Sequence, residues 1–317
     1  MLTSLKFCAG SVSRKDILLD LKHFLIENGR VSGFNGMLAL SSPIPFDINC
    51  KPQAESLIKA VANCEDVIAL AMTKAGRLSI KSGSFKASIV CVEGESAHVG
   101  PEGDRVDFDG DVLLKGLQTA SPFVGSDASR PWANGVLIRD ASLYATNNVT
   151  LVEYWLGSVF PCVVNLPRDA IREMLRIGEP PLYAQVTDRS VTFHYSGERW
   201  LRTQLYSTEW PDLRPVFDRP SRQQPLDKRL FEGLEAVKHF VDKFGSIYFV
   251  PDGIRTDAAE DEGACFDIPG FSHEGRYNAA MLSLLGPAVT TIDWSTYPGP
   301  CLFLGDRLRG AIIGMRK

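Results

Sequence analysis

No run of apolar residues in this chain of 317 approaches the ~20 needed to cross a bilayer. The opening Met1-Leu-Thr-Ser-Leu-Lys6 also lacks a basic head followed by an apolar core. A cytoplasmic protein with no membrane partner is therefore the expectation. Common catalytic signatures are missing: there is no Gly-x-x-x-x-Gly-Lys-Ser/Thr loop, no Gly-x-Gly-x-x-Gly, no His-Glu-x-x-His and no Gly-x-Ser-x-Gly. The five histidines, His23, His98, His194, His239 and His273, are scattered, and none pairs with another at ligand spacing. Cys8, Cys50, Cys64, Cys91, Cys162, Cys265 and Cys301 include no Cys-x-x-Cys pair, so they read as reduced packed or surface thiols. These absences predict no metal, no cofactor and no enzyme.

Acidic clusters do not reverse that expectation. Asp257-Ala-Ala-Glu-Asp-Glu262 lacks the alternating ligands and central glycine of a calcium loop, and reads as a solvated acidic turn. Asp104, Asp107, Asp109 and Asp111 read better as a linker leading into a helix. A net charge of −4 argues against a surface that grips nucleic acid everywhere, because such binding depends on many Lys and Arg contacts to phosphate. It leaves room for a local basic lining.

What the chain does have is repetition. Hairpin-like segments begin at Phe24, Val136 and Ile247, with turns at Asn28-Gly29, Asp140-Ala141 and Pro251-Asp252-Gly253. A second set begins at Leu78, Val191 and Cys301. Both sets recur at a spacing of roughly 110 residues, which predicts three copies of one module, each made of two similar halves. The modules are placed at 1–104, 105–222 and 223–317. Helical spacing marks Ser13 to Lys22, Asp111 to Thr119 and Asp227 to Asp242, and again Pro52 to Cys64, Pro167 to Ile177 and His273 to Leu285. The fold class is α+β.

Arg168, Arg172 and Arg176 recur every four residues and form a stripe beside apolar Ile171, Met174 and Leu175. Lys15 and Lys22, seven apart, share a side of the first predicted helix. Each stripe is either a solvated helix flank or part of a common cationic surface.

The middle of the chain resembles the bacterial DNA sliding clamp, the beta subunit of DNA polymerase III. The resemblance is carried by Asn134-Gly-Val-Leu-Ile138, Tyr144-Ala-Thr-Asn-Asn148, the predicted helix from Leu166 to Leu175, and Trp210-Pro-Asp-Leu-Arg-Pro-Val216. The ending Ala311-Ile-Ile-Gly-Met-Arg-Lys317 is similar to the family's apolar C-terminus. The motifs occur in the family's order and span nearly the whole chain. A divergent, viral member is one alternative.

The resemblance implies a head-to-tail homodimeric ring of six modules, with helices lining the inside and antiparallel sheets outside. Such a ring encircles double-stranded DNA without sequence preference, is opened by a clamp loader, and tethers a DNA polymerase to confer processivity. Lys15, Lys22, Arg168, Arg172 and Arg176 would then face DNA. A partner peptide would seat among Ala133, Thr146, Asn148, Leu151, Pro211, Val216, Ile313, Met315 and Arg316. The ring contact would join the strand Leu78 to Val92, around Ala87, to Phe240 and Val241 of a second copy.

Three departures stand out. Asn147-Asn-Val-Thr150 replaces Asp-Gly-His-Arg and removes a cation from the pocket rim. Gly314 stands where Pro is common, and Ala87 where an aromatic is found. A monomeric clamp-fold binding module that does not encircle DNA is the rival reading.

Overall fold

The computed structural model describes residues 1–317 apart from 14–18, 66, 95–97, 260–261, 287 and 317. The chain runs α1 (Leu2–Cys8), β1 (Leu25–Glu27), β2 (Arg30–Phe34), β3 (Leu38–Pro43), α2 (Ala54–Ala62), β4 (Ala69–Met72), β5 (Arg77–Ser82) and β6 (Phe85–Val90). It continues β7 (Asp104–Val106), α3 (Gly110–Ala120), β8 (Gly135–Arg139), β9 (Ser142–Thr146), β10 (Thr150–Trp155), β11 (Val164–Pro167) and α4 (Arg168–Ile177). Next come β12 (Tyr183–Val186), β13 (Ser190–Tyr195), β14 (Arg199–Gln204), α5 (Arg214–Phe217), β15 (Gln224–Pro225) and α6 (Arg229–Val237). The last elements are β16 (Ser246–Val250), β17 (Gly253–Arg255), β18 (Cys265–Asp267), β19 (Gly275–Asn278), α7 (Ala279–Ser283), β20 (Val289–Ile292), β21 (Pro300–Gly305) and β22 (Leu308–Ile313).

All six predicted hairpins form: β1–β2, β5–β6, β8–β9, β13–β14, β16–β17 and β21–β22. In the first, Asn28 and Gly29 both take positive φ, 50° and 67°, as a two-residue turn matching the strand twist requires.

Helix ends are set locally. Gln53 accepts a hydrogen bond from Ser56 N at 2.7 Å at the start of α2, and Asp109 accepts from Val112 N at 3.1 Å at the start of α3. Asp109 therefore works as a cap, and among the described residues no group of three metal-ligating side chains occurs. None of the described helices is long and apolar enough to cross a membrane.

Two helix expectations need correction. The described part of Ser13 to Lys22 holds a 3-10 turn at Leu19–Lys22, while an unforeseen helix, α1, precedes it; Lys15 lies outside the described residues. The segment from His273 begins as strand β19, because its backbone pairs with β16, and turns helical only at Ala279.

By compactness the chain divides into two units, Met1–Leu114 with Asp169–Leu205, and Lys115–Arg168 with Tyr206–Lys317. The first is built on a seven-stranded sheet, β1-β2-β3-β14-β13-β12-β7, with a separate three-stranded sheet, β4-β5-β6. The second is built on an eight-stranded sheet, β11-β8-β9-β10-β22-β21-β20-β15, with a separate four-stranded sheet, β18-β17-β16-β19. Each large sheet therefore joins stretches far apart in sequence, through β3 with β14 and β10 with β22. Alternation along the joining strands does the burying. Leu40 and Leu201 point inward in one unit, and Val152, Tyr154, Leu308 and Ile312 in the other, all nearly or fully buried.

Candidate functional site

The outward face of β9, β10 and β22 carries the candidate groove. Since Leu143, Ala145, Val152 and Ile312 point into the core, their alternating neighbours Thr146, Leu151, Ala311 and Ile313 lie on the other face. Leu151 is paired with Thr146 on one side and with Ala311 on the other. Ile313 is 40% exposed, an apolar side chain left open to solvent at the end of the last strand.

The turn at one end of this floor is built by Asn147. Its Oδ1 accepts from Thr150 N at 2.8 Å, Thr150 Oγ1 at 2.9 Å and Val149 N at 3.1 Å. Asn148 follows with φ 72°, a conformation that asparagine tolerates better than most residues. Thr146 Oγ1 donates to Thr150 O at 2.8 Å and accepts from Asn148 N at 3.1 Å, so its hydroxyl is committed to the turn. Arg130 donates to Asn148 Oδ1 at 2.7 Å. A cation thus stands beside the turn from which the sequence comparison had subtracted one, supplied by a residue eighteen positions upstream.

The other end is stitched by the C-terminal segment. Met315 N donates to Arg276 O at 2.7 Å, and Tyr297 Oη donates to Met315 O at 2.8 Å. A Cβ on Gly314 would lie 2.4 Å from two ring carbons of Tyr297, and Gly314 N donates to Pro298 O at 3.2 Å. Proline would lose that donor and strike the ring, which accounts for glycine here.

Arg276 donates to Ser246 Oγ at 2.7 Å, and Ser246 Oγ donates to Asp242 Oδ2 at 3.0 Å. The Ser246 N–H, with the Ser246 hydroxyl, the Phe244 N–H and the Arg276 charge, holds the Asp242 carboxyl below its ordinary range.

Beside the floor, the Arg309 guanidinium stacks 4.7 Å over Phe217 of α5 and pairs with Glu153. Glu153 also accepts from Ser142 Oγ at 2.8 Å and Tyr144 Oη at 3.0 Å. Burial, then the Glu153 charge, pushes the Tyr144 phenol up to about 12. Of the remaining predicted groove residues, Pro211 and Arg316 are exposed, Val216 is half-buried on α5, and Ala133 is fully buried. Arg130, Arg276 and Tyr297 were not anticipated. Nothing local in the sequence points to them, since each is brought in by a distant element.

The predicted DNA-facing cations differ in freedom. Arg168 is exposed, and Arg172 is exposed but 3.1 Å from Asp169. Arg176 pairs with buried Glu173 at 2.5 Å and donates to Phe7 O at 2.7 Å and Lys6 O at 3.1 Å. It thereby closes the C-terminal end of α1, a role that favours a cation. Lys22 is half-buried in its 3-10 turn.

Ala87 sits mid-strand on β6, whose outer edge has no strand partner among the described residues; Phe240 is 61% exposed and precedes half-buried Val241. The outer edge of β18 is likewise unpartnered among the described residues.

No family model matches the sequence, and no curated protein matches it. Solved structures do. The DnaN sliding clamp, DNA polymerase III subunit beta, of Pseudomonas aeruginosa bound to griselimycin matches at a TM-score of 0.84 and 17% identity, over 100% of this chain and 97% of that one. The corresponding Bartonella birtlesii clamp matches at 0.85 and 16%, and the Bacillus subtilis DNA polymerase sliding clamp at 0.83 and 14%, each over 100% of this chain and 97% of the other. The chain therefore has the fold of DNA polymerase III beta-subunit sliding clamps along its whole length.

Proposed function

We propose that this chain is a DNA sliding clamp, two copies of which close head to tail around duplex DNA and tether a DNA polymerase without catalysing a reaction. The observation that carries the reading is the pair of strand edges, β6 in one unit and β18 in the other, that have no strand partner among the described residues, on a chain with the clamp fold throughout. The three-module division at 1–104, 105–222 and 223–317 belongs to the same proposal. In it, each joint between modules pairs the third strand of one meander with the last strand of another, as β3 does with β14 and β10 with β22. Among the described residues, β18 is the third strand and β6 the last strand of a meander without such a partner, and they are not paired with each other, so the third joint would be made with a second copy.

The register of that third joint follows from the second. β22 and β6 both start after two-residue turns, Gly305 opposite Leu308 and Ser82 opposite Phe85, so Leu308 corresponds to Phe85. Ser142 faces Trp155 as Gly253 faces Asp267, so Tyr154 corresponds to Phe266. Tyr154 pairs with Leu308 and Glu153 with Arg309. The seam between copies would therefore set Phe266 opposite Phe85 and Cys265 opposite Lys86. Phe85 and Phe266 are half-buried in the single chain, as rings awaiting a partner would be. Exposed Lys81 and Lys86 would meet the acidic side of β18, with Glu262 and Asp267. Phe240 and Val241 would flank this contact.

Within the ring, Lys22, Arg168 and Arg172 would give weak, mobile contacts to phosphate, along with Lys15. The groove of Thr146, Leu151, Ile313 and Met315 would hold a short apolar peptide of the polymerase or the clamp loader, with exposed Ile313 offering it apolar surface beside half-buried Leu151 and Met315. Tethering through it raises the local polymerase concentration at a primer end without a new active site.

The test is solution mass by light scattering over a dilution series, followed by retention on nicked circular DNA before and after linearisation. Twice the chain mass, and release only from linear DNA, is the expected result. A single-chain mass throughout would support the non-encircling monomer, the reading that the small Ala87 side chain at the middle of β6 favours.

A further inference from the structure

The groove described above has a counterpart in the other unit. Arg30 follows its turn as Ser142 follows its own, so Phe34 corresponds to Thr146 and Ala39 to Leu151, each pair facing across its strands. Ser41 pairs with Trp200 as Glu153 pairs with Arg309. In the second unit α5 covers this part of the sheet through Phe217. In the first unit the same face is instead bridged by the connecting segment His98 to Pro101, which leaves a cavity of about 860 Å³. That size falls within the range of pockets that hold small ligands or peptide side chains.

The floor is apolar where the repeat predicts an anchor, with Leu25, Phe34 and Trp200 around it. The bridging segment is held down at both ends. His98 Nδ1 lies 3.2 Å from Glu27 Oε1, and Arg202 donates to Gly100 O at 2.5 Å. Two cations line the cavity, and their hydrogen-bond partners among the described residues are neutral. Arg30 donates to Ser41 Oγ at 3.0 Å and to Glu198 O at 2.8 Å, and Lys51 donates to Gly94 O. Burial pushes the Arg30 guanidinium down from its ordinary value, against the Glu198 charge, which acts the other way; no carboxylate oxygen is hydrogen-bonded to it among the described residues. Glu27 is occupied by His98, and Glu93 stands exposed at the mouth.

We propose that this cavity is a second peptide-anchoring site, taking a partner's aromatic or aliphatic side chain on Phe34 and Trp200 and an adjoining carboxylate on Arg30. The assignment rests on reading the second unit's groove as a peptide site, since it argues from the shared strand positions. It does not depend on ring closure. The two sites would select differently: the first-unit site asks for a carboxylate at Arg30, while the second unit has Ser142 at the matching position.

The probe is N-acetyl-leucyl-phenylalanine with a free carboxylate, compared with its amide, titrated calorimetrically into the full chain. Three variants decide the outcome: Ser32→Trp, which fills the cavity from the outward face of β2; Arg30→Gln; and Ile313→Asp in the other groove. Binding of the acid is expected to weaken about tenfold in Arg30→Gln, the size of one lost charge-assisted bond, and further in Ser32→Trp, while Ile313→Asp leaves the preference for acid over amide unchanged. The amide is expected to bind wild type and Arg30→Gln alike. Loss confined to Ile313→Asp would overturn the second site while leaving the first groove standing. Equal loss in both grooves' variants, or no binding by wild type up to about 10 mM, a free energy below ~3 kcal/mol, would overturn it too. If Ser32→Trp does not fold, judged by its thermal midpoint, Arg30→Gln and the acid–amide contrast carry the same decision.

Discussion

The joints β3–β14 and β10–β22 have the same antiparallel register and opposite outward chemistry. Inward, both bury aliphatic side chains. Outward, the first presents Ser41 beside Trp200 under a bridging segment, and the second presents Glu153 paired with Arg309 under a short helix. The comparison teaches that strand pairing carries the architecture while the outward residues are free to specialise each joint. Selection for a partner acts on that free set, whereas the inward set answers to packing alone.

The inward side differs as well, and one address gives the largest expected effect. Gly310 corresponds to Leu201, since one faces Val152 and the other Leu40. A Cβ on Gly310 would lie 2.2 Å from Phe303 Cζ and 2.6 Å from Leu151 O. Gly310→Val is expected to destabilise by about 3 kcal/mol or more through overpacking. Leu201→Ala is expected to cost ~2–5 kcal/mol through the opposite fault, a cavity. Urea unfolding measures both, and tolerance of valine at 310 would break the correspondence.

Outward, Glu153→Gln removes one member of a partly buried charge network while leaving its shape. A loss of about 1–2 kcal/mol is expected, together with a fall in the Tyr144 pKa from about 12 toward the ordinary phenol value, read by ultraviolet titration. The fall should be partial, because burial is the first cause of the shift. No change would mean that burial alone sets it.

The smallest effect lies in the first unit. Arg199 donates to Glu179 at 2.6 and 3.1 Å and holds its carboxyl below the ordinary range. A depressed carboxyl contributes stability above its unfolded pKa and loses it as pH falls through the folded one. Glu179→Gln should therefore cost under about 1 kcal/mol near neutrality, after solvent screening, and nothing once the pH is below the native carboxyl's titration. Equal destabilisation at both pH values would assign the effect to packing.

How much of this was legible beforehand depends on how local each signal is. The hairpins were legible because turns such as Asn28-Gly29 announce themselves over four residues. Family resemblance picked out Leu151 and Ile313, and strand alternation puts both on the outward face. α1 was not, since Met1 offers no side-chain cap and the helix is seven residues long. Strand β19 was read as helix because only its pairing with β16 makes it extended. Arg176 read as a free member of a stripe, and what binds it is the end of a helix about 170 residues away, along with buried Glu173. Arg130, Arg276 and Tyr297 escaped for the same reason.

The placement of β22 between β10 and β21 has a consequence for synthesis. β10 emerges from the ribosome some 160 residues before the strand that covers its edge, an interval of roughly ten to thirty seconds at ordinary elongation rates. β3 waits about as long for β14. During each interval a nascent chain exposes a bare strand edge able to recruit a neighbour on the same message, so slowing translation between residues 155 and 199, where both edges are bare, should raise co-translational aggregation more than slowing it elsewhere.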